Sequence, residues 1–271
     1  MTRQEMIAVA HQCLLNGPSP LLRYTPGGRR AEAEGVVFNC WGPHGPALNK
    51  AVVVGPAPPF RRVLALADAF FGSESGGFGV VVEADAGNPV EAELRAAGWQ
   101  VFEDEPALVL PTFSGQLPPV PTGLEIRRVI DNTGRRDLGH VLARGFGAPT
   151  AEGMVELSPE AYEDLVPSLE CASDPEVALL VGYLDGVPAS SAFLFIVGQI
   201  AGITGVATVP EYRRRGLAEA LTWAAIREGA ARGCTCAALA GLGASFELYR
   251  KMGFVHVCNH RAYQRPAESV S

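Results

Sequence analysis

Apolar residues in this chain fall into two alternating kinds of run. Short continuous runs bounded by Gly, Pro, Asp or Asn predict buried strands. In the second half these cover residues 124–130, 177–184, 187–197 and 200–209. Asp185-Gly186 is a strong two-residue hairpin signal, and Gly198-Gln199 makes the next turn. Gly202 and Gly205 interrupt the fourth strand, which predicts a bulge or a close backbone approach by a ligand. Helical spacing marks the other runs. Residues 135–146 and 160–171 predict helices, and Leu217, Leu221, Ala224 and Ala225 form a stripe that continues to Arg232. Gly233 closes that helix, and residues 234–239 read as a short buried strand. Phe246, Tyr249 and Met252 then recur at i, i+3 and i+6, with Gly253 as C-cap and Phe254 opening the last strand.

The first half repeats this succession faintly. A helix is predicted over 3–15, strands over 35–41 and 50–54, a helix over 59–71, a strand over 78–83, a helix over 89–97 and a strand over 107–110. Glu93-Leu-Arg-Ala-Ala-Gly-Trp99 echoes Leu248-Tyr-Arg-Lys-Met-Gly-Phe254, with Leu94 in the place of Tyr249. The proline-rich residues 117–123 read as a semi-rigid linker. The predicted division is therefore a domain over 1–116, a linker over 117–123 and a second domain over 124–271.

Composition narrows the function classes. At 271 residues, with 48% hydrophobic content, the chain is long enough for two ordinary domains. A net charge of −7 argues against nucleic acid or an anionic membrane as the main partner. No apolar run is long enough to span a bilayer, and the N-terminus lacks a signal-peptide pattern, so a cytoplasmic location is expected. Lysine is confined to Lys50 and Lys251 while Arg, Ala, Gly and Pro abound, a usage associated with GC-rich bacterial genomes. The six cysteines match no zinc spacing, and the histidines do not cluster with them, so no metal is expected. Buried free thiols are the reading for all six. The apolar helices are compatible with a homodimer.

The candidate chemistry lies where the fourth strand meets its helix. Arg213-Arg214-Arg215-Gly216-Leu217-Ala218 fits Arg-x-x-Gly-x-Gly/Ala. Such a turn exposes successive backbone N–H groups at a helix N-terminus, where the helix dipole adds about half a positive charge. Gly216 and Ala218 let a phosphate approach the main chain, and the arginines stay charged at any physiological pH. An ordinary solvated turn is the alternative for the hexapeptide alone.

This stretch resembles the acetyl-CoA pyrophosphate loop of the GNAT superfamily of N-acetyltransferases. Thr208-Val209-Pro210-Glu211-Tyr212-Arg213 matches the family form from the proline onward, with Thr208 replacing a valine and Ala218 the last glycine. About thirty residues later, Leu248-Tyr249-Arg-Lys-Met-Gly253-Phe254 looks like the family's Leu-Tyr-x-x-x-Gly-Phe signature. The resemblance implies two tandem GNAT-like α/β (α+β) domains, each a mixed, mostly antiparallel sheet flanked by helices. It makes the first copy degenerate, because Gly55-Pro-Ala-Pro-Pro-Phe60 stands where a cofactor loop would be and prolines lack the N–H donors. An unrelated α/β domain is the alternative for that half.

The resemblance also implies acetyl-CoA as co-substrate and a small-molecule primary amine as acceptor. Val206, Ala207, Thr208 and Val209 would meet the pantetheine and thioester. Arg213, Arg214, Arg215, Gly216, Leu217 and Ala218 would hold the pyrophosphate. Tyr249 would protonate the departing thiolate; its other reading is a satisfied core tyrosine. Family members often carry a Glu on the strand before the loop as base, and none stands between Ala201 and Val209. Glu152, Glu156, His140 or a water chain are the substitutes. Residues 147–157 form a loop that could line the acceptor pocket. Two other classes stay open: a catalytically silent acyl-CoA-binding protein, and an acyltransferase acting on protein amines.

Overall fold

Thr2 starts the first helix. Its hydroxyl accepts the Glu5 amide at 3.3 Å, and the Glu5 carboxylate accepts the Thr2 amide at 2.7 Å, a reciprocal capping box. Helix α1 (Arg3–Asn16) follows. Helix α2 (Pro18–Leu22) opens on a proline, whose missing N–H costs nothing at a first helical position. The structure is a computed structural model and describes residues 1–84, 87–113, 118–146 and 166–266.

Strands β1 (Gly28–Ala33), β2 (Val36–Trp41) and β3 (Lys50–Val53) form an antiparallel meander. Helix α3 (Phe60–Phe71) crosses over to β4 (Gly79–Glu83), which lies parallel to β3. Helix α4 (Pro89–Ala96) and strand β5 (Gln100–Leu110) end the first half. The second half uses the same plan. Strand β6 (Leu124–Arg128) and helix α5 (Asn132–Phe146) lead to β7 (Val177–Leu184), β8 (Val187–Val197) and β9 (Ile200–Thr208). These strands pair antiparallel in the order β6-β7-β8-β9. Helix α6 (Leu217–Ala231) crosses to β10 (Cys236–Ala240), parallel to β9. Helix α7 (Ala244–Lys251) and strand β11 (Val255–Gln264) close the chain. Each half is thus a mixed, mostly antiparallel sheet flanked by helices.

Compact units do not follow sequence order. One comprises Met1–Pro26 with Leu108–Val257, the other Gly27–Ala107 with Cys258–Ser271. This departs from the division at 117–123, for two physical reasons. First, the opening helices belong to the later unit. Ala10, Cys13, Leu21 and Leu22 are buried there. A Cβ added at Gly17 would lie 2.3 Å from the Phe195 ring, and one at Gly202 would lie 1.8 Å from it, so the ring fills space that two glycines leave. The Tyr24 hydroxyl also donates to Asp174 at 2.8 Å, and the Ser168 amide to the Tyr24 carbonyl at 2.7 Å.

Second, each unit takes its closing strand from the other half of the sequence. Leu108 and Leu110 of β5 sit in the core with Leu194, Ile203, Leu221 and Tyr249. Residues 260–263 of β11 pair antiparallel with β4. There Tyr263 joins the core of Phe38, Val63, Phe71 and Leu94. Its hydroxyl donates to the buried Glu91 at 2.8 Å, and Arg261 donates to the same carboxylate at 2.7 Å. A buried carboxylate needs such partners, since an unpaired one costs several kcal/mol.

Local differences from the sequence reading have causes. Strand β5 begins at Gln100, not 107, because its acidic stretch is partnered: Glu103 by Lys50 at 2.5 Å, and Asp104 by Arg261 and Asn259. Strand β1 is polar and lies at the sheet edge, so no apolar run announces it. The helix expected over 160–171 lies partly outside the described residues, and from Leu169 to Ser173 the chain is a 3-10 turn. All six cysteines are buried and free. One histidine does lie beside a cysteine: His260 Nε2 is 3.7 Å from Cys258 Sγ, because two residues apart on a strand share a face.

Candidate active site

Pairing between β9 and β10 stops early. It runs from Ile200↔Cys236 to Gly202↔Ala238, while β9 continues to Thr208. Beyond Gly202 the edge of β9 that faced β10 loses that partner. The register of β8 against β9 shifts in the same stretch, from Phe193↔Thr204 to Ser191↔Ala207. Gly205 carries the bulge at φ +60°, and a Cβ there would lie 3.0 Å from the Phe193 ring. Gly202 has a different role from the bulge expected of it: it makes room for Phe195.

Polar groups from β8 bind this stretch. The Ser191 hydroxyl donates to the Gly205 carbonyl at 2.8 Å. The Ser190 hydroxyl donates to the Ala207 carbonyl at 2.6 Å and lies 2.9 Å from the Thr208 hydroxyl. The Val209 amide donates to the Ala189 carbonyl at 3.0 Å, so it is already engaged within the sheet. From the other side comes α5. A Cβ on Gly145 would lie 2.6 Å from the Ala207 Cβ and 3.2 Å from the Thr208 nitrogen. Only glycine lets α5 approach β9 this closely.

After β9 the chain makes a 3-10 turn at Pro210–Tyr212, and Arg213 is extended. Arg214 has φ +60° and Gly216 φ +76°, the latter as N-cap of α6. Positive φ at Arg214 and Gly216 folds the turn tightly, which favours a concavity lined by main-chain N–H groups. Gly216 has no side chain with which to cap the helix, and the first intrahelical bond links the Ala220 amide to the Gly216 carbonyl. The amides of Leu217, Ala218 and Glu219 therefore have no intrahelical acceptor. Arg213, Arg214, Arg215 and Gly216 are exposed, Ala218 is half-buried and Leu217 is buried. Arg215 lies over the Tyr212 ring at 5.6 Å. Arg213 is held back: its Nε donates to the Thr208 carbonyl at 3.1 Å and its Nη2 to the Gly145 carbonyl at 2.9 Å. Arg144 and Glu211 add an ion pair beside it.

Tyr249 lies on α7 with 4% of its surface exposed. A Cβ on Gly241 would come within 2.7 Å of its ring, so Gly241 makes space for it. Burial pushes the phenol up to about 12, and the Thr222 hydroxyl facing it pulls the other way. Thr222 is itself fully buried and donates to the Ala218 carbonyl at 2.8 Å. A chain of contacts thus leads from the first turn of α6 to Tyr249. Of the candidate bases, His140 is exposed on α5, and Glu152 and Glu156 lie outside the described residues.

The sequence reading missed Thr222, Ser190, Ser191, Gly145 and Gly241. The two serines and Thr222 did leave a signal, being polar residues inside otherwise apolar runs.

Among its described residues, the earlier unit offers no such site. Strands β3 and β4 stay paired to Val53↔Val82, the last residue of β3, so no comparable edge opens. Between β3 and α3, residues 56, 58 and 59 are prolines. The ~540 Å³ cavity lined by Pro56, Pro58, Pro59, Asn88, Glu83 and Glu93 presents carboxylates where a phosphate would need donors.

Parallel strands that part, a bulged inner strand and a turn with positive φ at Arg214 and Gly216 at a helix start make up the candidate site. Residues 148–254 match the family model described as the acetyltransferase (GNAT) family. No curated protein sequence matches the chain. Solved structures share its fold. A GCN5-related N-acetyltransferase from Kribbella flavida superposes with a TM-score of 0.69 at 18% identity, covering 97% of each chain. One from Sphaerobacter thermophilus gives 0.57 at 16%, covering 86% of this chain and 81% of that one. A tandem GNAT protein from the clavulanic acid biosynthesis pathway gives 0.54 at 12%, covering 86% and 79%. Residues 148–254 thus match the GNAT family model, and the chain shares the fold of these GNAT structures.

Proposed function

We propose that this protein transfers the acetyl group of acetyl-CoA to a primary amine of a small molecule. The observation that carries the reading is the turn from Arg213 to Ala218. Its backbone amides, with Gly216 at φ +76°, open beside the edge that β9 exposes once it leaves β10. The pyrophosphate would lie on the amides of Leu217 and Ala218, with Arg214 and Arg215 adding charge. Pantetheine would run along the free edge of β9 as an added strand does. Ala207 and Val209 shape this segment by holding β9 to β8.

The amine nitrogen attacks the thioester carbon, a C–N bond forms, and the C–S bond breaks. Tyr249 donates its proton to the departing sulfur, and the proton that the amine loses returns to the phenol through water. A phenol held near 12 keeps its proton at neutral pH, which suits an acid. The amine must arrive neutral, and a free alkyl amine has a pKa near 10.4. Proton removal to solvent through water serves this, since β9 carries no carboxylate between Ala201 and Val209.

That missing carboxylate is the observation favouring the second reading, a protein that binds acyl-CoA without turnover. Release of free thiol from acetyl-CoA over a panel of primary amines separates the two. Amine-dependent release supports the transferase. Binding without release by any amine supports the silent protein.

A further inference from the structure

We propose that Ser191 and Ser190 of β8 are positioning residues that aim two backbone amides of β9 along its free edge, that of Val206 at the thioester carbonyl and that of Thr208, about 6.6 Å further on, at the pantetheine. The proposal rests on the acetyl-CoA reading above and adds the residues that organise its reacting end.

The argument starts from the peptide plane. A trans peptide is planar, so its C=O and N–H point in opposite directions. Whatever holds the carbonyl of one residue fixes the direction of the next residue's N–H. Ser191 holds the Gly205 carbonyl at 2.8 Å, from β8. The N–H of the same peptide unit belongs to Val206 and is turned away from β8. Ser190 holds the Ala207 carbonyl at 2.6 Å, also from β8. Its peptide partner, the Thr208 N–H, is likewise turned away. The side facing away from β8 is the one on which β10 has stopped pairing after Gly202↔Ala238.

An ordinary strand would not need these hydroxyls, because the ladder itself orients every peptide. Here the ladder is broken. The register shifts between Ser191 and Phe193, and Gly205 sits at φ +60°. A bulged peptide has lost part of its ladder and is freer to rotate. Ser191 replaces that restraint at the Gly205 carbonyl, and Ser190 adds to the resumed ladder at Ala207. Both are fully buried, at 0% exposure, in a β8 segment otherwise made of Ala189, Ala192, Phe193 and Leu194. A buried hydroxyl is tolerated when it is hydrogen-bonded, and each of these finds a carbonyl on the bulged strand. Their adjacency places them on opposite faces of β8, so the bulge is held from both sides.

The bonds also act electronically. A hydrogen bond accepted by a peptide carbonyl polarises that peptide and strengthens its N–H as a donor. Donors aimed in advance at a developing oxyanion stabilise it without reorganisation when the reaction occurs. Gly145 contributes by omission: with no Cβ, it leaves the Thr208 nitrogen uncrowded on the α5 side. The oxyanion donor is therefore the main-chain amide of Val206, and the side chain that sets it lies one strand away.

The test uses the full-length chain with acetyl-CoA labelled with carbon-13 at the acetyl carbonyl, read by infrared difference spectroscopy. In the wild type the bound carbonyl stretch is expected to move to lower frequency than in solution. In Ser191→Ala the shift should shrink and kcat should fall about tenfold, while the Kd for desacetyl CoA stays within about twofold. Ser191→Thr, which keeps a hydroxyl, should recover most of the shift. Ser190→Ala should weaken affinity for desacetyl CoA and leave most of the carbonyl shift in place. A wild-type carbonyl that binds unshifted overturns the proposal and leaves the binding reading intact. So does a Ser191→Ala protein that loses CoA affinity and thermal stability in step with activity, because that marks a structural role. A wild type that binds no acetyl-CoA overturns the acetyl-CoA reading, and this proposal with it.

Discussion

The Arg213 guanidinium donates from Nε to the Thr208 carbonyl, at 3.1 Å, and so fastens the loop to the end of the strand that feeds it. Its Nη2 reaches the Gly145 carbonyl at 2.9 Å. The first arginine of the Arg-x-x-Gly-x-Ala turn is thus committed to the protein's own carbonyls, while Arg215 lies over the Tyr212 ring. Arg213→Ala is expected to lose both acetyl-CoA affinity and about 1 kcal/mol of stability, a Tm drop of roughly 2–4 °C. Arg214→Ala should weaken binding and leave Tm unchanged. Paired thermal melts and titrations check this. Equal Tm values for the two variants would remove the clamp from the account.

Tyr249→Phe removes the proposed acid and keeps the buried ring. Because a thiolate leaves easily, kcat is expected to fall about 10- to 100-fold, at or below the lower end of the usual general-acid contribution. Affinity for CoA should be unchanged. Since burial holds the phenol near 12, the wild-type rate should show no loss attributable to Tyr249 between pH 7 and 10. A pH–rate profile with an alkaline limb below pH 9 that disappears in Tyr249→Phe contradicts this.

Glu105 on β5 makes stability depend on pH. Burial pushes its carboxyl up to about 7, the neighbouring Glu103 adds to the rise, and Lys50 opposes it. The native state therefore holds a proton that the unfolded chain has already released near its ordinary value of 4.5. Stability linked to this group is fully present below about 4.5 and is lost as pH rises toward and through about 7. Glu105→Gln should flatten the decline in Tm between pH 5 and 8 and raise Tm at pH 8. An unchanged slope in the variant would show that Glu105 does not carry it.

Gly202→Ala tests the packing of the opening helices. Its Cβ would lie 1.8 Å from the Phe195 ring, so the ring must move against Gly17. A loss of about 2–3 kcal/mol is expected from overpacking. Phe195→Leu in the same chain should restore part of it. Denaturant melts of the single and double variants measure the coupling.

Much of this was legible in the sequence. The Asp185-Gly186 hairpin, the stripe on α6 and the Gly253 cap are local signals, and the elements stand where those signals put them. The bulge at Gly205 was legible as a glycine inside an apolar strand, but the same signal at Gly202 marked room for the Phe195 ring instead. The unit boundaries were not legible. They follow from Leu108, Leu110 and Tyr263 entering cores far away in sequence, and no local composition records that. At the site, the glycines and arginines of the loop were visible as a motif. The commitment of Arg213 to two carbonyls was not, because it depends on where α5 ends in space. Ser190, Ser191 and Thr222 read as minor polar interruptions until their partners on β9 and α7 were in place.

The central claim is that the turn at Gly216 holds the pyrophosphate of acetyl-CoA. Calorimetric titration of the full-length chain with acetyl-CoA tests it directly, beside Gly216→Asp. Aspartate tolerates the left-handed conformation at φ +76° better than most residues, and its carboxylate would cap the amides of α6 itself. The account predicts one site per chain in the wild type, and no binding in a Gly216→Asp protein whose Tm is undiminished. Undisturbed binding by Gly216→Asp would place the cofactor elsewhere and contradict the account.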